Sequence, residues 1–405
     1  VSGGYDVIVV GAGLSGLLAA WFARARGARV VVVARGVGAL PLTAGCVDVL
    51  GYSPDGEAIA NLRWWLGRAF KEKPEHPYQL AGGEALREGV EALQAIYPLS
   101  GSLKENLLLP TAAGALRPTC LTPESLAGGH DAAGDEGCLL VGFEGWRDFD
   151  AGYAAANLGV RAATIPLPDK RLVNATAVEL ARRFEGADFR DEVARRVGQH
   201  LSGETRVGFP AVLGMDAAES VHSDLQAALG ATVFEIPTLP PSVPGMRLDR
   251  TLRAALRRAG VEVILGPAVR GWIQNGDALG VHTYGASGER TLAADAVILA
   301  TGGLVNGGLE IDDGGRLTES VFDLPVKAPQ ADRNFEPLLM GHHPIFEAGV
   351  RVNAAMQALD ATYRPVYANV MAVGGLLANA DRIGEGSTQG IAIATAWRAV
   401  EALSQ

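Results

Sequence analysis

Gly11, Gly13 and Gly16 are spaced as G-x-G-x-x-G, behind the β-branched apolar run at 7–10 and ahead of a stretch rich in alanine and leucine. Strand, glycine turn and helix in that order form a seat for a phosphate. The first glycine makes the tight turn, the second lets an anion approach the backbone, and the third lets the helix lie close to the strand. The amino end of the helix, at Leu14, Ser15 and Gly16, supplies free N–H groups and the positive end of a dipole. A second apolar strand at 30–33 closes the unit, and that context makes the motif specific. Nucleotide or flavin binding is the expectation.

The end of the second strand narrows it. Dinucleotide folds usually carry Asp or Glu there, on a ribose hydroxyl pair. This chain has Ala34, followed by Arg35. An arginine fork suits a phosphate rather than a diol. Two readings follow: NADP with Arg35 on its 2′-phosphate, or a flavin held without the ribose clamp, FMN first and FAD as the alternative.

Two further glycine-rich loops follow apolar strands, at Thr301-Gly302-Gly303 and at Gly374-Gly375. If their strands return to one parallel sheet, all three loops gather at its carboxyl edge, where open α/β sheets bind ligands. Beyond the third loop come Asp381 and then Gly386-Ser387-Thr388-Gln389-Gly390, which opens the last helix. That helix start can face an electron-rich ring edge.

The elements that must position these loops are legible along the chain. With 405 residues, 48% of them hydrophobic, two domains are expected. A net charge of −10 argues against nucleic acid as a partner. No apolar stretch reaches the roughly 18 residues needed to span a bilayer, and no leader pattern precedes the first strand. Cys46, Cys120 and Cys138 form no C-x-x-C, so neither an iron–sulfur cluster nor a metal site is expected within the chain. Their sparse use fits a reducing cytoplasm, with any membrane contact made through a partner.

Helices are expected at 60–70 and 83–97, and a hairpin at 105–120 turning at 112–114. Strands alternate with helices from 138 to 236, the pattern of a second α/β layer. The proline-rich 237–248 reads as a stiff, extended connector into an amphipathic helix at 247–260 ended by Gly260. Strands follow at 261–265, 268–274, 278–284 and 291–303. The last three form an antiparallel meander turning at Asn275-Gly276 and Ser287-Gly288. Residues 349–369 read as another hairpin. The fold class is therefore α/β: a Rossmann-like domain with a meander, from 1–60 and 260–405, plus an inserted α/β domain at 61–259 serving as a cap or a substrate- or partner-binding unit.

The strings GAGLSG, AVILATGG and NVMAVGGLL…D…EGSTQG resemble the glutathione-reductase-like flavoproteins over the two ends of the chain. ARGVGALPLTAGCVDVLGYSPDG, EIPTLPPSVPGMRLDRTL and VILATGGLVNGGL resemble the B subunits of anaerobic glycerol-3-phosphate dehydrogenases over nearly all of it. The resemblance implies a flavin, FMN in that family, and two partners: a catalytic FAD subunit and an iron–sulfur subunit that meets the membrane. Electrons would pass from glycerol 3-phosphate to quinone, leaving dihydroxyacetone phosphate. It also implies that Thr43, Ala44 and Gly45 line the flavin and that Asp381 reaches a ribityl hydroxyl.

Oxidising a secondary alcohol needs a base for the hydroxyl proton and a hydride path to the flavin. The histidines are His76, His130, His200, His222, His282, His342 and His343. Only the last two fall near a loop that could face the ring, and a pair before Pro344 reads as a solvated turn. No catalytic residue is assigned. Arg247, at the head of the amphipathic helix, is the candidate for a substrate phosphate. Trp64, Trp65 and Trp146 read as core or interface residues, and Cys46 as a small buried hydrophobe. Two roles stay open: a subunit that oxidises glycerol 3-phosphate, or a relay whose flavin passes electrons on. The missing base and the missing cysteine clusters lean towards the relay.

Overall fold

A computed structural model describes residues 4–68, 70–71, 73–274, 277–286, 288–329, 334–338 and 341–404. In chain order, β1 (Tyr5–Val10), α1 (Leu14–Ala25) and β2 (Val30–Ala34) form the opening unit. Then come α2 (Gly83–Gln94), β3 (Cys138–Phe143), α3 (Ala151–Leu158) and β4 (Arg161–Ile165). They are followed by α4 (Ala177–Phe184), α5 (Ala187–Gly198), β5 (Arg206–Pro210), α6 (Ala218–Leu229) and β6 (Thr232–Ile236). The chain closes through α7 (Val243–Arg258), β7 (Glu262–Leu265), β8 (Ala268–Gln274), β9 (Asp277–Gly285), β10 (Gly288–Leu299), β11 (Val370–Ala372) and α8 (Thr388–Leu403).

The larger sheet runs β7-β2-β1-β10-β9-β8, and β11 adds to β10 in parallel. Strands β7, β2, β1, β10 and β11 pair in parallel, and β2 is buried along its whole length, as β-branched strands covered on both faces must be. β10 is long enough to serve twice. Its first half is the last arm of the β8-β9-β10 meander and its second half enters the parallel sheet. The expected turn residues Asn275, Gly276 and Ser287 lie outside the described residues.

The second sheet is parallel throughout, in the order β6-β5-β3-β4. Two of its helices are capped by side chains: Asp150 accepts the N–H of Tyr153 at 3.0 Å for α3, and Thr176 that of Glu179 at 3.2 Å for α4. Its separate core runs from Ala132 to Val243, a shorter span than 61–259. The flanking segments join the first core instead. Gly89 explains part of this: a Cβ there would lie 2.6 Å from Ile393 Cγ2, so α2 packs closely on α8.

Two local expectations are corrected. The proline-rich connector is already helical from Val243, because Pro244 falls in the first turn of α7, where no N–H is needed and the fixed φ suits a helix. Residues 349–369 make no regular hairpin, only isolated bridges and a two-residue pairing. Asn353 Oδ1 accepts the N–H groups of Ala355 and Gln357, and Asp360 Oδ1 those of Thr362 and Arg364. These side-chain turns take backbone donors that a ladder would use.

Candidate functional site

β1, β10 and β11 end in step, with Val10 opposite Leu299 and Leu299 opposite Ala372. The three glycine loops therefore leave one sheet edge side by side. The backbone pins them there: Gly11 donates to the Val33 carbonyl at 2.8 Å, Ala300 to Val10 at 2.8 Å and Val373 to Leu299 at 2.9 Å. A groove runs over them, from Ala34, Arg35 and Val269 at one end, past Gly11 to Ser15, to Thr43, Thr388 and Gln389 at the other.

The glycines divide by role. Gly11 has φ +115°, and a Cβ would lie 2.2 Å from the Ala300 carbonyl oxygen. A Cβ on Gly16 would lie 1.9 Å from the Gly11 carbonyl oxygen, so these two serve close packing. A Cβ on Gly13 would meet nothing within 4 Å. Gly13 faces open room at the amino end of α1, where no side chain caps the helix and no acid stands in the first turn. The loop is braced from a distant element: Arg253 Nη2 on α7 donates to the Ala12 carbonyl at 3.3 Å and the Val37 carbonyl at 3.0 Å, while its Nε is held by Asp249 at 2.9 Å.

At the other end, Thr388 and Gln389 bring the amino end of α8 into the wall, again with no acid in the first turn and no side-chain cap. Two buried hydrogen-bonding atoms of the wall, Thr301 Oγ1 and Gln389 Oε1, have no partner within the protein. The Thr43 hydroxyl donates to the Leu40 carbonyl at 2.9 Å and accepts the Gly45 N–H at 3.3 Å. Open space at Gly13, two uncapped helix ends and two orphaned polar atoms together fit an elongated ligand with a phosphate and a polar ring.

Of the residues singled out from the sequence, Gly11, Gly13, Leu14, Ser15, Ala34, Arg35, Thr43, Thr301, Gly302 and Thr388 line this groove. The rest stand behind or beside it. Gly16 packs on Gly11, and Gly374, with φ +65°, lies against the Ser15 hydroxyl. Ala44 packs with Cys46, Leu109 and Leu126. Gly45 lies against Pro244 and Gly386 against Gly51. Asp381 accepts the Gly384 N–H at 3.0 Å and stands 3.6 Å from His342 Nε2. Ser387 donates to Glu385.

Arg247 stands away from the groove. Its guanidinium pairs with Glu235 at 2.6 and 3.0 Å and also donates to the carbonyls of Leu213 and Gly214. Burial works against its charge, but Glu235 prevails and holds it above its ordinary pKa. Its Nε, Nη1 and Nη2 all donate to groups inside the protein. None of the seven histidines lines the groove. Burial pushes the Cys46 thiol up, and its Sγ lies 3.4 Å from Thr122 Oγ1.

Sequence reasoning missed Arg253, Val269 and Asn306. Only Arg253 left a signal, its i,i+4 spacing from Asp249 on an amphipathic helix.

A sequence model of the FAD binding domain family matches residues 6–391. The probable B subunit of the anaerobic glycerol-3-phosphate dehydrogenase of Halobacterium salinarum is 33% identical, over 99% of this chain and 98% of its own. The B subunit of the anaerobic glycerol-3-phosphate dehydrogenase of Pectobacterium atrosepticum is 30% identical, over 98% of each. Among solved structures, 3-ketosteroid delta1-dehydrogenase from Sterolibacterium denitrificans is similar at 13% identity and a TM-score of 0.47, covering 99% of this chain and 100% of that one.

Proposed function

The chain belongs to the FAD binding domain family and to the B subunits of anaerobic glycerol-3-phosphate dehydrogenases, and from that premise we propose that it works as a flavin-bearing subunit of a quinone-linked enzyme that oxidises glycerol 3-phosphate to dihydroxyacetone phosphate. The observation that carries this reading is the groove itself, which joins the amino ends of two helices across three glycine loops.

FAD is the flavin this groove suits better. The wall continues past the phosphate loop to Ala34, Arg35 and Val269, where a Rossmann unit receives an adenosine. FMN would leave that end unused. Gly13 and the first turn of α1 would hold the pyrophosphate, Arg35 and Val269 the adenosine side, Thr301 and Gly375 the middle, and Thr43, Thr388 and Gln389 the ring. A bound flavin supplies the ability to take two electrons and pass them on.

The described residues that line the groove bind and orient. Among the described residues, no His, Asp, Glu or Lys lines the groove. That favours the relay over alcohol oxidation on this subunit. The partners are then a catalytic FAD subunit and an iron–sulfur subunit. Among the described residues no group of three or more His, Cys, Asp or Glu could hold a metal, and no helix is long and apolar enough to cross a membrane. Contact with the membrane is accordingly assigned to the partners.

The test is glycerol-3-phosphate-dependent dye reduction by the purified chain loaded with FAD, alone and with the partner subunits. The relay reading expects turnover only in the complex. Turnover by the chain alone would overturn it and place the oxidation here.

A further inference from the structure

Behind the amino end of α8 lies a chain of three polar groups that ligand binding in the groove does not use. Ser387 is the N-cap residue of α8, and a serine there ordinarily accepts an N–H from its own first turn. Its hydroxyl instead donates to Glu385 Oε2 at 2.8 Å. The same oxygen receives His76 Nε2 at 3.3 Å. The ring is oriented from its other side: His76 Nδ1 accepts the Tyr78 N–H at 3.2 Å, which leaves the proton of the neutral imidazole on Nε2. Phe70 stacks flat on the imidazole, with ring centres 3.8 Å apart. His76 and Ser387 are fully buried, and the Glu385 side chain is 14% exposed.

This arrangement has an effect on the helix end. With the serine turned away, the Gly390 N–H goes to the Asp48 carbonyl and that of Ile391 to the Ser387 carbonyl. Thr388 and Gln389, in the groove wall, keep their first-turn N–H groups free of a side-chain cap. A carboxylate two residues before the N-cap of a helix is drawn to the positive end of its dipole. It therefore offsets part of the field that the helix end would present to a negative charge in the groove. The neighbouring charges are Arg382, which feels both Glu385 and Asp381, and Asp48.

Resting on the flavin reading of the groove, we propose that Glu385, clamped between Ser387 and His76, is a positioning residue that turns the serine away from its cap and sets the reduction potential of the flavin at the amino end of α8. A reduced ring gains electron density, so an opposing carboxylate keeps its potential low.

The experiment is a redox titration of the flavin-loaded full chain, read by visible absorption. Glu385→Gln keeps the shape and an acceptor for both donors while removing the charge. The expected result is a tenfold higher ratio of reduced to oxidised flavin at a given potential, equivalent to a positive shift of about 30 mV for a two-electron couple. Ser387→Ala keeps the carboxylate but removes one donor, and a smaller shift in the negative direction is expected. A merely structural role would change flavin retention or melting and leave both potentials in place. Two variants that hold flavin at the wild-type potential would overturn the proposal. If Glu385→Gln fails to retain flavin, Ser387→Ala decides alone. A wild-type chain that takes up no flavin would instead overturn the groove reading itself.

Discussion

The molecule contains two parallel sheets, and they treat their carboxyl edges in opposite ways. In the larger one, glycine loops leave β1, β10 and β11 side by side, and the edge stays open as a groove. In the inserted one, the strand order β6-β5-β3-β4 reverses direction between β3 and β5, where such sheets commonly hold ligands. Beside that point, at the ends of β5 and β6, the edge is covered. Glu235 Oε1 accepts the Leu213 N–H at 2.8 Å, and Arg247, reaching in from α7, pairs with Glu235 and covers the carbonyls of Leu213 and Gly214. A parallel sheet thus makes a site available, and what occupies its edge decides whether the site is used. The same helix α7 serves both outcomes, covering one edge with Arg247 and bracing the first glycine loop of the other with Arg253.

The largest effect is expected at the covered edge. Arg247→Met leaves Glu235 as an uncompensated buried charge and should cost about 3–5 kcal/mol of stability. Urea unfolding followed by circular dichroism would show it. Adding Glu235→Leu should return most of the loss, because a buried pair replaced by apolar groups is often near neutral. If the single variant melts like wild type, the two edges do not differ as described.

At the open edge, Gly13→Val should weaken flavin binding a hundredfold or more, about 2.7 kcal/mol, with little change in melting, since the added atoms enter only the ligand's space. Equilibrium titration by absorbance checks the first and calorimetry of the apo chain the second. Gly11→Val should instead disrupt folding, because the left-handed φ and the Ala300 carbonyl both forbid a side chain.

Arg35→Ala should weaken FAD about tenfold, roughly 1.4 kcal/mol, and leave FMN affinity unchanged, because only the adenosine half reaches that end of the groove. Equal losses for both flavins would place the ligand elsewhere.

The smallest effect concerns the thiols. Burial raises the Cys138 pKa to about 11. At pH 8 the thiolate fraction is then about one in a thousand, and it grows about tenfold per pH unit up to that value. Iodoacetamide should leave the native chain unlabelled at pH 8 over a time that fully labels the unfolded chain. Labelling of the native chain at Cys138 would contradict its placement.

Much of the open edge was legible in the sequence because its parts are local. Gly11, Gly13 and Gly16 sit within six residues between a strand and a helix, and the loops at Thr301-Gly302 and Gly374 each follow a recognisable apolar strand. What was not legible depends on long-range approach. Arg253 reaches Ala12 from 241 residues away, and Arg247 finds Glu235 only once β6 and α7 are packed together. The start of α7 was missed because Pro244 looks like a helix breaker unless its place in the first turn is known. A serine just ahead of a helix ordinarily caps it, and nothing in the spacing around Ser387 announces that Glu385 and His76 turn it aside.

The flavin itself is open to direct reading: the purified chain is denatured after incubation with FAD and gel filtration, and the released chromophore is identified by chromatography. One equivalent of FAD per chain, lost in Gly13→Val, is the expected result. A colourless chain that takes up neither FAD nor FMN while remaining folded would contradict the reading of the groove and the redox role built on it.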